Sequence, residues 1–309
     1  MIDKLNLPLV SVVIATYNGE RFIREQLDSV LLQSYPNLEI IIVDDCSSDN
    51  TRTILDDYAE KYPQIKLFKN ESNLGYQKNF EKGFLLATGD YVAPCDQDDI
   101  WLPTKIEVLL KNSNDYAIVY CDSAFIDKNG LSLGRKMSDI KGLTDFDDPI
   151  MFALGGSVAG HAMLIKRQLI LDTLPFPDEL MPHDYWLGFV ATFNSKIKFI
   201  NEVLVLYRRH DKNIFGAIDK KNKQRETASQ RVKNARQRVF LLYQKCPDYL
   251  PDSKQAYLQL HQCYEDYSFS NNMARMCFFF KHQKKVLAFK KRNEFRRHLF
   301  CLKTFFKIL

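Results

Sequence analysis

The sequence predicts an α/β fold: a doubly wound sheet over residues 1–220, followed by a helical, basic extension over 221–309. Three observations carry the prediction. Through the first hundred residues, short apolar, β-branched runs alternate with stretches of helical period, as in sheets covered by helices on both faces. Each run stops at a polar or acidic stretch, and such folds bind ligands outside the carboxyl ends of their strands. From residue 231 onward the alternation is gone, and 17 Lys and Arg stand against 5 Asp and Glu.

Residues 9–15 are nearly all apolar and read as a strand buried on both faces. Thr16-Tyr17-Asn18-Gly19 ends it, and Phe22, Ile23, Leu27, Val30 and Leu31 mark a helix that closes before Pro36-Asn37. Residues 38–43 form a second strand, ending in Asp44-Asp45-Cys46-Ser47-Ser48-Asp49. Asp49 or Asn50 can cap the helix that runs on to Tyr62, before Pro63. A third strand over 65–69 and a third helix over 75–87 follow. A fourth strand over 90–94 enters from the turn at Thr88-Gly89.

That strand runs into Cys95-Asp96-Gln97-Asp98-Asp99-Ile100-Trp101. Three carboxylates within four residues repel one another unless something offsets them. Mg²⁺ or Mn²⁺ does so well, because hard oxygen ligands suit these ions and the ions bridge carboxylates to substrate phosphates. A solvated acidic turn is the plain alternative. The apolar strand before the cluster, Trp101 and Pro103 beside it, and the second acidic strand end at Asp44-Asp45 favour a metal and phosphate site. Neither G-x-G-x-x-G nor G-x-x-x-x-G-K-[ST] occurs, which argues against dinucleotide oxidoreductases and P-loop enzymes.

The second half is less explicit. Residues 116–121 and 124–126 read as two strands, Asp127-Lys128-Asn129-Gly130 as a turn, and 134–148, polar and without period, as a mobile loop. Gly155-Gly156-Ser157 and Gly160-His161 put small residues before a strand, which lets a ligand approach the backbone closely. His161 can equally be a structural histidine. Asp184, in Pro182-His183-Asp184-Tyr185-Trp186, is either the N-cap of an apolar helix or a chemical group. After a strand over 204–207, Arg208-Arg209-His210-Asp211-Lys212-Asn213 suits a diphosphate and its metal, or is a solvated basic turn.

Residues 11–18 (Ser-Val-Val-Ile-Ala-Thr-Tyr-Asn), Ile42-Val43-Asp44-Asp45-Cys46-Ser47-Ser48-Asp49 and the run 95–101 resemble the family 2 glycosyltransferases of GT-A fold, with a Rossmann-like mixed sheet. The likeness covers about residues 8–210. It implies that Thr16, Asp44 and Asp45, with Tyr17 and Asn18, meet the nucleotide base, and that Asp96 and Gln97 meet the donor. A metal, Mn²⁺ or Mg²⁺, would be held mainly by Asp98, with Asp99 or Asp96 and with His210, while Arg208 or Arg209 closes over the diphosphate. Asp184 would be the catalytic base, with Gly160, His161, His183 and Trp186 on the acceptor side. His183 replaces the first acid of the pair common in the family. The implied activity is a metal-dependent, inverting transfer of a sugar from a nucleotide-sugar donor to a glycan or lipid-linked saccharide. Residues 96–105 and 183–186 resemble bacterial transferases that build O-antigen or capsule, rhamnosyltransferases among them, which makes UDP-hexose or dTDP-rhamnose the donors to try. Two other readings stand beside it: a nucleotide-sugar-binding or membrane scaffold protein, and a nucleotidyltransferase. The latter normally has a Gly-rich basic loop where this chain has Thr16-Tyr17-Asn18-Gly19-Glu20.

Composition adds bounds. The net charge of +5 hides an acidic body, 26 Lys and Arg against 33 Asp and Glu, which argues against nucleic acid as a partner. Seven scattered cysteines without C-x-x-C spacing point to a reducing compartment. The apolar run 7–15 lacks the flanks of a signal peptide, and no window reaches the length of a membrane span, so the expected place is the cytoplasm. Between residues 277 and 309, eight Phe alternate with ten Lys and Arg against one acid. That is the composition of helices lying on an anionic membrane surface, here the inner face of the plasma membrane, or of helices packing their Phe face on the catalytic domain.

Overall fold

The computed structural model describes residues 7–156, 158–177, 181–210 and 227–307. In chain order its elements are β1 (Val10–Thr16), α1 (Ile23–Leu31), β2 (Leu38–Asp44), α2 (Thr51–Lys61), β3 (Ile65–Lys69), α3 (Tyr76–Leu86) and β4 (Tyr91–Cys95). The two-residue β5 (Ile100–Trp101), α4 (Lys105–Lys111), β6 (Ile118–Ile126), β7 (Ser132–Lys136), α5 (Met137–Ile140) and β8 (Met163–Lys166) follow. After them come α6 (Arg167–Thr173), α7 (His183–Ala191), β9 (Ile197–Arg208), α8 (Ala228–Lys245), α9 (Pro251–Gln262), α10 (Phe269–Val286) and α11 (Glu294–Phe306).

The strands join in the order β3-β2-β1-β4-β8-β6-β9-β5, with β7 paired to β6 outside this path. β1 to β4 are mutually parallel, and β8 is antiparallel to both β4 and β6. The result is the mixed sheet of the GT-A fold. Alternation along the strands explains its two layers, because successive side chains point to opposite faces. Val13, Ile41 and Val43 face a core completed by Phe80 and Phe84 of α3 and by α7. Val12, Ile14, Ile40 and Ile42 face a second core completed by Ile23, Leu27 and Val30 of α1 and by Ile54, Leu55, Ile106 and Leu109.

Three expectations are corrected. Residues 116–126 do not form two strands: β6 runs unbroken because the polar pair in its middle, Asp122 and Ser123, is buried and hydrogen-bonded. The stretch 134–148 is not a structureless loop: the end of β7 and α5 order its first half, and a 3₁₀ turn at Pro149–Phe152 follows it. Its polar residues bond to β6 instead of forming an apolar stripe of their own. Asp184 is not an N-cap either: α7 begins one residue earlier, after Pro182.

The extension shares the core of the sheet. Val239 and Leu242 of α8, Tyr257 and Leu260 of α9, and Phe278, Phe279 and Val286 of α10 belong to the first core. Buried Arg275 donates to the carbonyls of Cys263 and Thr304 at 2.9 and 2.8 Å, tying α10 to the end of α9 and to α11. The Phe residues of the tail therefore divide: Phe278, Phe279 and Phe300 are buried, whereas Phe295 and Phe306 are exposed. Among the described residues no helix is long and apolar enough to cross a membrane. Ser157, residues 178–180, Asp211-Lys212-Asn213 and the boundary expected at 220/221 lie outside the described residues.

Candidate active site

The parallel pairing sets three strand ends abreast, with Thr16 opposite Asp44 and Ile14 opposite Cys95. Asn18 and Cys46 both have positive φ (49° and 64°), a costly conformation for non-glycine residues that clusters at functional rims. Gln97 clasps the half-exposed Tyr17, accepting from its N–H at 2.9 Å and donating to its carbonyl at 3.1 Å. Asn18 accepts from the N–H of Ser48 at 2.8 Å. Asp44 is fully buried and takes donors from Thr16 (3.2 Å), the N–H and hydroxyl of Ser47 (3.1 and 2.5 Å) and Arg52 (2.9 Å). Asp45 accepts from Asn70 and the N–H of Leu74, both at 2.8 Å, and from the N–H of Gly75 at 2.9 Å. These two carboxylates thus shape the rim from within, and Asp45 also fixes the entry to α3.

The acidic run after β4 lies beside them. Asp98 Oδ2 meets His210 Nε2 at 2.7 Å. Buried Asp99 accepts from the N–H of Arg208 at 2.9 Å, and its other oxygen has no partner among the described residues. Burial, with Asp98 and Asp96 nearby, pushes the Asp99 carboxyl well above the usual range. Burial, then Asp98 and Asp184, pushes Asp96 up to about 7. Ligand atoms of Asp96, Asp99 and His161 lie within 4.8 Å of one another. Carboxylates crowded together with imidazoles, one buried oxygen lacking a donor, form a set that a hard divalent ion fits. The rim pair Asp98–His210 and the deeper trio both offer such ligands.

Lys105 lies under the cluster, fully buried. It donates to the carbonyl of His161 at 2.7 Å, and its ammonium stands 3.2 Å from the centroid of Trp101. Burial lowers it to about 8, and the surrounding thiols and carboxylates resist that shift. Arg208 is also buried: it pairs with Glu25 and donates to the carbonyl of Asp98 at 2.7 Å, so it holds the acidic turn from behind. Arg209 donates its N–H to Ile126 at 2.8 Å, with its guanidinium 5.8 Å from the ring centre of Phe125.

Asp184 stands in the first turn of α7. Burial raises its carboxyl to about 6 against the N–H of Tyr185, the Lys141 cation and the N–H of Gly160, and its charge also acts on Asp96. Gly160 is flush with it: a Cβ there would stand 3.5 Å from the Cβ of Asp184. His161 meets the hydroxyl of Ser123 at 2.8 Å and stacks on Tyr207 at 4.6 Å, and burial lowers it to about 3, so the ring is neutral at pH 7. His183 sets its ring in an aromatic box with Phe80, Phe84, Phe176 and Tyr76, and its Nε2 borders Gly160, where a Cβ would stand 3.4 Å away. Trp186 is buried and packs on Phe189 at 5.8 Å. The structure therefore gathers Asp96, Asp98, Asp99, Gly160, His161, Asp184 and His210, with His183 bordering Gly160 from an aromatic box, and gives Trp186 a place in the core. Sequence reasoning missed Ser123, Lys141 and Tyr207. Only Lys105, three residues past the Ile100-Trp101-Leu102 run, carried a positional signal.

The family model "Glycosyl transferase family 2" matches residues 11–173. An uncharacterized glycosyltransferase of Rickettsia typhi is 34% identical over 210 residues, covering 66% of this chain and 65% of the relative. One of Methanocaldococcus jannaschii is 30% identical over 232 residues, covering 72% and 78%. The chain thus spans just under two thirds of the Rickettsia relative. Among solved structures, Staphylococcus aureus TarS 1–349 in complex with UDP-GlcNAc aligns at a TM-score of 0.62 with 17% identity, covering 90% of this chain and 81% of that one. The mannosyltransferase PcManGT from Pyrobaculum calidifontis, in complex with GDP-Man and Mn²⁺, aligns at 0.53 with 20% identity, covering 97% and 81%. At these identities both show a shared fold.

Proposed function

The chain belongs to glycosyl transferase family 2, and from that membership we propose that it moves a sugar from a nucleotide-sugar donor to a hydroxyl of a glycan or lipid-linked saccharide. One observation carries the reading. A half-buried carboxylate raised to about 6, Asp184, stands close enough to the acidic run Asp96–Asp99 for its charge to act on Asp96. A binding module has no need of that pairing. The acceptor oxygen attacks the anomeric carbon from the face opposite the diphosphate, and Asp184 takes its proton as the new C–O bond forms. The anomeric bond to the diphosphate breaks, its electron pair leaves with the phosphate oxygen, and configuration inverts. Mn²⁺ or Mg²⁺, held by Asp98 and His210 with Asp99 or Asp96, would neutralise charge on the leaving group. The complexes of TarS with UDP-GlcNAc and of PcManGT with GDP-Man and Mn²⁺ support the donor class and the metal. UDP-hexose and dTDP-rhamnose are the donors of choice, with surface polysaccharide such as O-antigen or capsule as the product class.

We assign residues 1–220 to the catalytic unit, with a nucleotide-sugar half (1–127) and an acceptor half (128–220), and 221–309 to the extension. Phe295, Leu299, Leu302 and Phe306 of α11 are exposed at helical spacing, among the exposed cations Arg296, Lys303 and Lys307. Such a face suits the anionic inner leaflet of the plasma membrane, at about 1 kcal/mol per cation near the surface. The first test is a thermal-shift screen of UDP, dTDP and GDP with Mn²⁺, because native-state binding raises stability by mass action. A nucleotide-release assay with the matching sugar donor follows. Binding without acceptor-dependent release favours the scaffold reading, and no binding at all removes the transferase reading.

A further inference from the structure

Asp184 is flanked on α7 by two aromatic side chains that leave the helix in different directions. One residue advances a helix by about 100°, so His183 and Tyr185 point roughly 200° apart with Asp184 between them. His183 lodges its ring against Phe80 and Phe84 of α3. Tyr185, also buried, goes the other way, to the 3₁₀ turn at Pro149–Phe152. Its hydroxyl donates to the carbonyl of Phe152, and its ring meets the Phe152 ring edge to face at 5.5 Å. Gly188, on the same side of α7, lets the Phe152 ring lie against the helix backbone, since a Cβ there would stand 2.9 Å from Phe152 Cε1 and Cζ. The turn is held in its place by the extension. Asp148 caps it, accepting from the N–H of Ile150 at 2.8 Å, and pairs with Lys285 of α10. The Pro149 carbonyl accepts from the hydroxyl of Tyr257 on α9 at 2.5 Å, and the Tyr257 ring meets Phe189 of α7 edge to face at 5.5 Å.

We propose that Tyr185 is a positioning residue for Asp184, and that the C-terminal extension, by gripping the 149–152 turn, sets the rotation of α7 on which the base depends. Anchors on either side of one residue fix the direction in which that residue points. Asp184 Oδ1 accepts from the N–H of Tyr185 at 2.7 Å, but that bond lies within the first turn, rotates with the helix and leaves the rotation free. A side-chain tip stands about 5 Å from a helix axis, so a rotation of roughly 10° carries it about 1 Å. A misplacement of about 1 Å can cost on the order of a hundredfold in rate. The role rests on the reading of Asp184 as base. It makes the extension part of the catalytic apparatus instead of an appendage, reaching Asp184 through bonded and packed groups: Tyr257 and Lys285, the turn, and Tyr185.

The test uses the full chain with Tyr185→Phe, Tyr257→Phe and Asp184→Asn, and with Tyr185→Phe added to Asp184→Asn. Tyr185→Phe keeps the ring, and the Phe152 carbonyl keeps a donor in the N–H of Gly155 at 3.2 Å, so the fold should survive. Amide hydrogen exchange needs neither sugar donor nor acceptor. In Tyr185→Phe it should quicken severalfold at positions 185 and 186, whose N–H groups bond to the Asp184 carboxylate and the Pro182 carbonyl, while β1 to β4 stay as protected as in the parent. In nucleotide release, Tyr185→Phe should lower kcat roughly tenfold to a hundredfold with the donor KM within about twofold. Tyr257→Phe should show the same split, with a loss of roughly threefold to tenfold. Added to Asp184→Asn, Tyr185→Phe should cost less than about twofold, because no base is left to position. An equal loss in both backgrounds, or unchanged exchange at 185 and 186, overturns the proposal. Quickened exchange in Tyr185→Phe, with Asp184→Asn at the parental rate, shows the tether yet overturns the reading of Asp184 as base and the positioning role with it.

Discussion

Replacing His183 by Phe should stabilise the protein most in mild acid. The ring lies 4.6 Å from Phe80 and 5.9 Å from Phe84, with Phe176 and Tyr76 just over 6 Å away. Neither nitrogen has a hydrogen-bond partner among the described residues, and burial lowers the ring to about 4 from an ordinary 6.5. In that window the unfolded chain binds a proton that the native ring refuses, so native stability falls as pH drops from 6.5 towards 4. The full span is worth about 3 kcal/mol, of which about 2 kcal/mol is lost by pH 5. Phenylalanine has no proton to refuse and leaves no buried nitrogen unpaired, itself a cost of about 1–3 kcal/mol. Asp184 and His161 titrate in both proteins, so their terms cancel in the difference. Urea unfolding followed by the fluorescence of Trp101 and Trp186 at pH 7.5 and 5.0 measures it. The gap in stability between variant and parent should widen by about 2 kcal/mol at the lower pH. Parallel losses in both proteins would refute the assignment of a neutral, unpartnered ring.

Three further outcomes follow from the same geometry. Asp98→Asn keeps a polar group beside His210 but removes a charged hard ligand, so turnover should fall at least about a hundredfold, together with Mn²⁺-dependent nucleotide binding; full activity would remove Asp98 from the metal site. Gly19→Ala would put a Cβ 2.4 Å from Gln97 Oε1 and break the clasp on Tyr17, raising the donor KM roughly five- to thirtyfold with kcat little changed; an unchanged KM would mean that the clasp does not shape the donor site. Exchanging Phe295, Leu299, Leu302 and Phe306 for Ser should abolish co-sedimentation with anionic vesicles, which high salt should also reverse. Because these side chains are exposed, the fold should survive, whereas deleting α10 would remove Phe278 and Phe279 from the core.

The first four strands were legible because both their faces are buried, which leaves unbroken apolar runs with polar ends. Asp96 and Asp98 stood out because carboxylates crowded at the end of an apolar strand repel one another unless something offsets them, whereas Asp184, at a helix start that favours acids, was marked only by the family likeness. The partners of Asp45 were not legible, since Asn70, Leu74 and Gly75 arrive through β3 and its following turn, some 25–30 residues away. Asp122 and Ser123 broke the apparent run of β6 because a buried polar pair looks like a loop until Ser138 and His161 are seen bonding to it. Lys141 had no signal at all: its order comes from β6 and the turn after α10, which bond to Ser138, Gly142 and Thr144, not from any pattern in its own stretch. His183 stands where the family has an acid, and the orientation of its ring, set by Phe80, Phe84 and Phe176, could not be read from its neighbours in sequence.

The most direct test of the central claim is acceptor-dependent nucleotide release by Asp184→Asn beside the parent, with the anomeric configuration of the parent's product read by NMR. Asparagine still accepts from the Tyr185 N–H, a bond of 2.7 Å in the parent, but cannot take the acceptor's proton. The parent should invert configuration, and the variant should lose roughly 10²–10⁴ in kcat while binding donor nucleotide and Mn²⁺ as the parent does. A variant that turns over at the parental rate, or a parental product of retained configuration, would contradict the assignment of Asp184 as the base.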